Sequence, residues 1–301
     1  MKRIALFFLA LLPFCTLAAK EKPFIIGELG CELGNNLFQV AAASALAWDN
    51  GAEAYFPDLL QSHIPNRNEN YEHVLFRCEA ETPKLPINFR WNCPREFNFT
   101  YTEIPYEPNM LLGVGAFQSE KYFAHHRDKI LKLFAPHPED LNYIRSKYGN
   151  VLDHPKTVGI QMRWFGRAMD TPWHDCLVQY GREYFKEAIA HFPPDSLFVV
   201  SSNDKTFIKE SLPSGLRNVV ILENESHYID FYILSLCKHQ IISNSSYGWW
   251  AAWLNQNPSK VVVAPCEWIN PALHEATPVT DVWPPEWIRI QAKWRKPYNR
   301  K

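Results

Sequence analysis

Hydrophobic and polar positions alternate along this chain in blocks that predict strands followed by helices. Residues 23–28 form an apolar run of strand length, and an alanine-rich helical pattern covers residues 37–50. Further apolar runs that suit buried strands cover residues 157–163, 196–202, 219–222, 240–242 and 261–265. Because strands alternate with helical patterns in both halves of the chain, the sequence predicts an α/β protein with mainly parallel sheets.

Residues 230–254 carry the strongest local pattern. Asp230 opens a helical pattern, residues 240–242 predict a strand, and a polar turn then leads into an apolar helix rich in tryptophan. A strand–turn–helix unit points backbone N–H groups at an anion, and parallel sheets bind ligands at the carboxyl ends of their strands. The turn is therefore a candidate diphosphate site, with Ser245 and Ser246 as further donors. On spacing alone, an ordinary helix N-cap is the favoured interpretation of the same residues.

A second candidate segment follows the first strand at residues 29–36. Its two glycines and two asparagines predict a tight strand-to-helix loop, which can bring backbone N–H groups next to a phosphate. A plain turn is the alternative interpretation.

The chain divides most naturally near residue 150. Residues 139–155 combine a helical pattern with a hydrophilic connection. We therefore expect an N-terminal α/β domain over residues 20–150 and a C-terminal α/β domain over residues 151–301.

The first 19 residues have the pattern of a targeting segment. Lys2 and Arg3 precede an apolar run, and small residues close the segment. Residues 1–19 therefore predict a signal peptide, with an uncleaved signal-anchor as the alternative. Either form predicts a translocated protein, which would be secreted, periplasmic or lumenal, or held at a membrane through its N-terminus.

Composition narrows the function classes only slightly. A formal net charge of −1 over 301 residues argues against a nucleic-acid-binding protein. The 11 tryptophans and 13 tyrosines suit a sugar-binding surface, but they suit a core as well. Six cysteines follow Cys15, and they permit either disulfides or buried thiols. No Cys/His spacing typical of a metal site is present.

The residues of the polar turn and its helix carry a family resemblance. Residues 243–254 resemble the "NSSFSWWGAWL" signature of the α-1,2-fucosyltransferases, glycosyltransferase family 11, with Tyr247, Gly248 and Ala251 as departures. Residues 34–41 resemble the family segment "GLGNQLFQYA", where Asn36 replaces Gln. Further similarities cover residues 113–123, which resemble "GYFQSEKYF", and residues 202–209, which resemble "FSDDxxWxK".

The family motif "HxRRxD" is only partly present. Arg163 matches the first Arg, while Gln161 stands for His, Trp164 for the second Arg and Gly166 for Asp. The resemblance links the first Arg to the diphosphate and to activity. A guanidinium can bind a leaving diphosphate bidentately and stabilise its charge. Arg167 is a candidate for the missing positive charge.

The resemblance implies a GT-B-like pair of Rossmann-type domains and a specific activity. An inverting transferase would move L-fucose from GDP-fucose to the 2-hydroxyl of a galactose-containing glycan, with no metal or other cofactor. The alternatives are another donor or acceptor, and an inactive glycan- or nucleotide-binding protein. The implied catalytic residues are Arg163 and Asn35, and the implied nucleotide-sugar-binding residues are Gly34, Gln161, Ser202, Asp204, Asp230, Ser245, Ser246 and Tyr247.

Overall fold

The computed structural model describes residues 22–61, 66–85, 99–166 and 174–297. The predicted signal at residues 1–19 lies outside the described residues, as does Arg167. Within the described ranges, every helix is too short or too polar to span a bilayer.

The first half of the chain builds a small parallel sheet. Strand β1 (Phe24–Gly27) lies between β2 (Glu53–Tyr55) and β3 (Met110–Leu112), and both neighbours run parallel to it. All four residues of β1 are buried, as its continuous apolar run predicts. The helices of this half are α1 (Leu33–Asp49), α2 (Arg67–His73), α3 (Arg127–Leu133) and α4 (Pro138–Leu152).

The second half builds a six-stranded parallel sheet. Its strands are β4 (Thr157–Met162), β6 (Leu197–Ser202), β7 (Val219–Ile221), β8 (His239–Ile242), β9 (Val262–Pro265) and β10 (Ile288–Ile290), in the order β10-β9-β8-β4-β6-β7. A two-stranded antiparallel sheet adds β5 (Gln179–Tyr180) and β11 (Trp294–Arg295). The helices are α5 (Arg182–Ile189), α6 (Lys205–Ser211), α7 (His227–Leu236) and α8 (Ser246–Leu254).

The predicted fold class is confirmed, since the protein is α/β with mainly parallel sheets. The order of the larger sheet places β4 and β8 side by side at its centre. Their carboxyl ends lead into Arg163 and into the polar turn, so both candidate diphosphate contacts lie at the same edge of the sheet. The domain boundary near residue 150 stays a prediction.

Several predicted element ends are wrong. Helix α1 begins at Leu33 rather than at residue 37, so the Gly–Asn segment forms the first turn of the helix and not a loop before it. The segment 113–123 is expected to begin with the end of a strand at residues 115–117, but strand β3 ends at Leu112, and beyond it the Gly115 carbonyl accepts a hydrogen bond from the Gln39 side chain at 3.1 Å. Strand β10, which no pattern predicted, lies outside β9 at the edge of the sheet. Helix α7 begins at His227, three residues before Asp230.

The five cysteines of the described ranges carry free thiols. Cys93 lies outside those ranges. The alternative of buried thiols therefore holds for Cys78 and Cys237, whereas Cys31 is exposed and Cys176 and Cys266 are half-buried.

Helix α8 joins the two halves through a shared aromatic core. Trp249, Trp250 and Trp253 are almost fully buried. The ring of Phe38 on α1 lies 4.5 Å from that of Trp249, and Phe123 stacks on Trp250 at 5.1 Å. Such ring pairs add to the free energy gained by burying their area, so α1 and α8 hold each other in a defined position.

Candidate functional site

Helices α1 and α8 begin at the same point in the structure. A Cβ atom on Gly34 would lie 2.4 Å from the backbone nitrogen of Tyr247 and 2.5 Å from the Ser246 hydroxyl oxygen. Only glycine leaves room for this approach, because the opposing atoms include backbone that cannot rotate away. The glycine of the "GLGNQ" segment therefore serves to bring two helix N-termini together.

The start of α8 presents unused hydrogen-bond donors. Trp249 is the first residue of this helix whose N–H reaches the Ser245 carbonyl, at 2.9 Å. The N–H groups of the residues before Trp249 have no acceptor within the helix, and they carry the positive end of its dipole. The Ser245 side chain makes no capping hydrogen bond to the helix. The start of α8 therefore offers hydrogen-bond donors at the positive end of a helix dipole, and its role as an anion site stays a prediction.

Arg163 lies directly beyond β4, beside this turn. Its backbone N–H donates to the Ser243 hydroxyl at 3.0 Å, and its carbonyl accepts from Gln179 Nε2 at 2.9 Å. Its guanidinium donates to a Glu32 carboxylate oxygen at 3.0 Å. The Glu32 side chain is 61% exposed, whereas that of Arg163 is 28% exposed.

The loop after Arg163 is held by two side-chain amides, those of the exposed Asn203 and the buried Gln179. Asn203 accepts from the Trp164 N–H at 2.8 Å and donates to the Trp164 carbonyl at 2.9 Å. Gln179 accepts from the Phe165 N–H at 2.9 Å. Because three consecutive backbone positions are fixed in this way, the guanidinium of Arg163 starts from a defined position.

Asn35 is tied to a chain of amides behind the site. The indole N–H of Trp268 donates to Gln118 Oε1 at 2.7 Å, and Gln118 Nε2 donates to Asn35 Oδ1 at 2.7 Å. An indole N–H can only donate, so it sets the orientation of both amides. The amide NH₂ of Asn35 is left to act as a donor toward a hydroxyl or a phosphate oxygen.

Asp230 lies in the first turns of α7 with an incompletely satisfied carboxylate. Oδ2 accepts from the Ser201 hydroxyl at 2.6 Å, whereas Oδ1 is buried with no hydrogen-bond partner among the described residues. Burial raises the pKa of Asp230 to about 6. A buried acceptor without a donor lowers the stability of the folded protein. Such atoms are often found in ligand-binding sites.

Ser202 and Asp204 serve a local structure. Asp204 Oδ1 accepts from the Phe207 N–H at 2.7 Å and so caps the N-terminus of α6. The Ser202 hydroxyl contacts both the N–H and the carbonyl of Asp204, each at 3.1 Å. Asp204 is thus an ordinary helix cap, and the nucleotide-binding role of these two residues stays a prediction.

The departures from the family motifs contact one another in pairs. A Cβ on Gly248 would lie 2.8 Å from Gln161 Oε1, so the side chain of Gln161 fills the space beside Gly248. A Cβ on Gly166 would lie 2.3 Å from the indole of Trp164. Each larger residue therefore occupies the volume that its smaller partner vacates.

Tyr247 adds one hydroxyl that the family signature lacks. It donates to the His227 carbonyl at 2.5 Å and ties the start of α8 to the start of α7. Burial raises the pKa of Tyr247 well above its ordinary value. The residue therefore supports the turn as a neutral donor at physiological pH, and its predicted contact with the nucleotide sugar stays a prediction.

Sequence reasoning missed Glu32, Gln118, Gln179 and Ser243. Ser243 belongs to the recognised turn, and Gln118 to the segment that resembles "GYFQSEKYF". No local signal marks Glu32 or Gln179, because their partners lie 131 and 16 residues away along the chain.

The site therefore combines two helix N-termini with a fixed guanidinium at the carboxyl edge of a parallel sheet. This arrangement is typical of α/β proteins that bind a phosphate-containing ligand. The chain belongs to glycosyl transferase family 11, whose model matches residues 90–291, more than half of the chain.

Similarity to individual proteins is moderate. The chain is 26% identical over 188 residues to an Escherichia coli protein named α-1,2-colitosyltransferase, covering 59% of this chain and 62% of that protein. It is 27% identical over 288 residues to the rabbit (Oryctolagus cuniculus) galactoside α-(1,2)-fucosyltransferase 2, covering 91% of this chain and 78% of that protein. It also resembles the crystal structure of the fucosyltransferase NodZ from Bradyrhizobium, with a TM-score of 0.48 and 14% identity over 77% of this chain and 92% of that chain.

Proposed function

We propose that this protein is an inverting glycosyltransferase that moves L-fucose from GDP-fucose to the 2-hydroxyl of a galactose-containing glycan. The observation that carries the proposal is the convergence of the α1 and α8 N-termini beside Arg163. The names of relatives that act as fucosyltransferases support the choice of donor and linkage.

The diphosphate of the donor fits against the start of α8. Backbone N–H groups of the first turn and the hydroxyls of Ser245 and Ser246 are the donors that a phosphate accepts from. Arg163 supplies the positive charge, and the diphosphate takes the place of the Glu32 carboxylate on its guanidinium. These groups offset the charge that develops on the leaving diphosphate, so the proposed reaction needs no metal ion.

The guanine base suits Asp230. Guanine presents two N–H donors on one edge, and a carboxylate accepts such a pair well. In the part of the chain that the structure describes, Oδ1 of Asp230 is buried without a partner, and Oδ2 already has the Ser201 hydroxyl. Binding of the base would therefore satisfy an acceptor that the free protein leaves unpaired.

The acceptor sugar would lie on the side of α1. The amide NH₂ of Asn35 points its donors at this region, since its oxygen is engaged by Gln118. In the proposed step the acceptor oxygen attacks the anomeric carbon of fucose, and the bond from that carbon to the phosphate oxygen breaks. GDP departs with the electron pair, and the acceptor proton passes to solvent or to the phosphate.

A different donor is the second candidate. The E. coli relative is named a colitosyltransferase, and colitose is fucose without its 3-hydroxyl. A site that hydrogen-bonds the 3-hydroxyl of fucose would discriminate strongly against colitose, whereas an apolar site would not. Competition between GDP-fucose and GDP-colitose at equal concentration separates the two donors.

The deciding experiment is GDP release by the chain from residue 20 onward, with GDP-fucose, in EDTA, with and without lactose. Lactose-dependent release supports the transferase, and we expect Arg163→Ala to lose it by roughly 100-fold or more. GDP binding without release, tried against a panel of acceptors, would instead favour the inactive binding protein. Absence of GDP binding would refute the nucleotide site itself.

The location of the protein is also a proposal. The basic and apolar pattern of residues 1–19 supports translocation through a signal, with membrane association if that segment is retained. The mass of the exported protein shows whether residues 1–19 have been removed or retained.

A further inference from the structure

Two histidines and one carboxylate converge at the far end of α1 from Gly34. Asp49 is the last residue of the helix, and His125 and His126 belong to a short 3₁₀ turn at Ala124–His126. At 1.5 Å per residue, about 24 Å of helix separates Asp49 from the start of α1. This cluster is therefore distinct from the candidate diphosphate site.

The ligand atoms of the three residues lie close together. His126 Nε2 is 2.7 Å from Asp49 Oδ1, and His125 Nε2 is 2.9 Å from Oδ2. One ligand atom from each residue lies within 4.8 Å of the other two. Neighbouring ligand atoms on a tetrahedral zinc ion with bonds of about 2.0–2.1 Å stand about 3.4 Å apart. Small side-chain rotations would therefore admit an ion.

The orientation of the rings favours a cation at this place. Both histidines direct the same nitrogen, Nε2, at the carboxylate. His126 is held edge-on against Trp48, with ring centroids 5.3 Å apart, and its side chain is only 18% exposed. The side chain of His125 is 49% exposed, which leaves an open side for water to complete the coordination.

The carboxylate stands where the helix disfavours it. The C-terminal end of a helix carries partial negative charge, so Asp49 at the end of α1 adds like charge there. A divalent cation held by Asp49 would reverse the sign of the charge at this helix end. Hydrogen bonds from two imidazoles to one carboxylate are the competing explanation of the same contacts.

We propose that Asp49, His125 and His126 form a site for a divalent transition-metal ion of the zinc type, with water as the remaining ligand. Two imidazoles and one carboxylate suit zinc better than magnesium, which prefers oxygen ligands. The ion would tie the turn before α3 to the end of α1. Its role would be structural, since the site lies far from Arg163 and Gly34.

The test is titration of the full, tag-free chain with Zn²⁺. Calorimetry measures the binding, and thermal unfolding measures its effect on stability. We expect one ion per chain and a Tm that rises with Zn²⁺ concentration but not with Mg²⁺. His125→Ala and His126→Ala should each weaken Zn²⁺ binding by at least the roughly 10–100-fold that loss of an outer-shell partner costs. His191→Ala, an exposed histidine just beyond α5, is the matched control and should bind as the wild type does.

X-ray absorption of the zinc-loaded chain gives a second readout, with two imidazole ligands at about 2.0–2.1 Å expected. The proposal is overturned if the wild type shows no saturable binding, or if binding survives in both His125→Ala and His126→Ala. Loss of binding in His191→Ala alone would also overturn it.

Discussion

The guanidinium of Arg163 donates a hydrogen bond of 3.0 Å to the carboxylate of Glu32, 131 residues earlier in the chain. Glu32 is the N-cap residue of α1, at a position where the family segment "GLGNQLFQYA" has glycine. The pair places a negative charge at the point where the proposed diphosphate must bind. Glu32 therefore competes with the donor for Arg163.

Glu32→Gln should tighten GDP binding. The substitution removes a competing anion while it keeps an amide oxygen of similar reach. Exposed ion pairs are worth roughly 0.2–1 kcal/mol, so we expect a gain of about 1.4- to fivefold in GDP affinity by calorimetry. The gain should shrink in high salt, and binding of guanosine, which lacks phosphates, should not change.

The matched control for this prediction is Glu139→Gln, an exposed acid in the first turn of α4. It should leave GDP affinity unchanged. An unchanged or lower affinity in Glu32→Gln would show that Glu32 does not oppose the diphosphate.

Gly34→Ala should damage both stability and GDP binding. The added Cβ would meet the backbone of Tyr247 at 2.4 Å, so α1 and α8 must move apart. Overpacking of this kind costs roughly 1–3 kcal/mol in the free energy of unfolding. Denaturant unfolding measures that cost, and calorimetry with GDP measures the loss of binding.

Gly149→Ala is the control for replacing a helical glycine by alanine where no other residue is close. A Cβ on Gly149 meets nothing within 4 Å, and the residue lies inside α4. This substitution should stabilise the protein by up to about 1 kcal/mol, because alanine favours the helix. Equal behaviour of the two variants would contradict the close approach of α1 and α8.

Asp230→Asn should weaken GDP binding without lowering the stability of the folded protein. The pKa of Asp230 is raised from 3.8 to about 6 in the folded protein, so folding favours the protonated form. Its contribution to stability is present below pH 3.8 and is lost as the pH rises through 6. At pH 7 the asparagine variant should therefore unfold at equal or higher denaturant concentration, while it binds GDP more weakly.

The same group gives GDP binding a pH dependence. Only the ionised carboxylate accepts from both N–H groups of guanine, so affinity of the wild type should fall as the pH is lowered from 7 to 5. Asp230→Asn should show a flatter profile. A wild-type affinity that is constant over this range would remove Asp230 from the guanine site.

The effects of substitutions at Trp164 and Gly166 on the free energy of unfolding should depend on each other. Gly166→Asp alone brings a Cβ to 2.3 Å from the Trp164 indole and should destabilise the protein by roughly 1–3 kcal/mol. Adding Trp164→Arg removes the indole and restores the residue pair of the "HxRRxD" motif. We expect a favourable coupling of roughly 0.5–3 kcal/mol in a double-mutant cycle on unfolding. Additive effects would show that the two departures are independent.

The strands and the polar turn were predictable because their signals are local. Apolar runs marked β4, β6, β7, β8 and β9, and the hydroxyl-rich turn before the tryptophans marked the start of α8. The start of α1 was not predictable from composition. Gly34 and Asn35 have the composition of a loop, and only the approach of Tyr247 explains why a glycine occupies the first turn of a helix.

The supporting residues of the site could not be predicted for a different reason. Glu32, Gln118 and Gln179 act across the fold, and their hydrogen bonds depend on which elements the sheet order brings together. The contact between Gln161 and Gly248 also could not be predicted from local sequence. Taken singly, each residue is only a departure from a family motif. Pairs of this type become visible only when both positions are seen in contact.

The tryptophans of α8 determine whether the protein can be divided into separately folding fragments. Trp249, Trp250 and Trp253 lie in a core that also contains Leu37 and Phe38 from the first half of the chain. A fragment that began at residue 151 would expose three indoles to water, and one that ended at residue 150 would lose the surface that covers α1. Neither piece should be recovered as a soluble, autonomously folding unit, so the donor-binding half has to be prepared and assayed with the whole polypeptide around it.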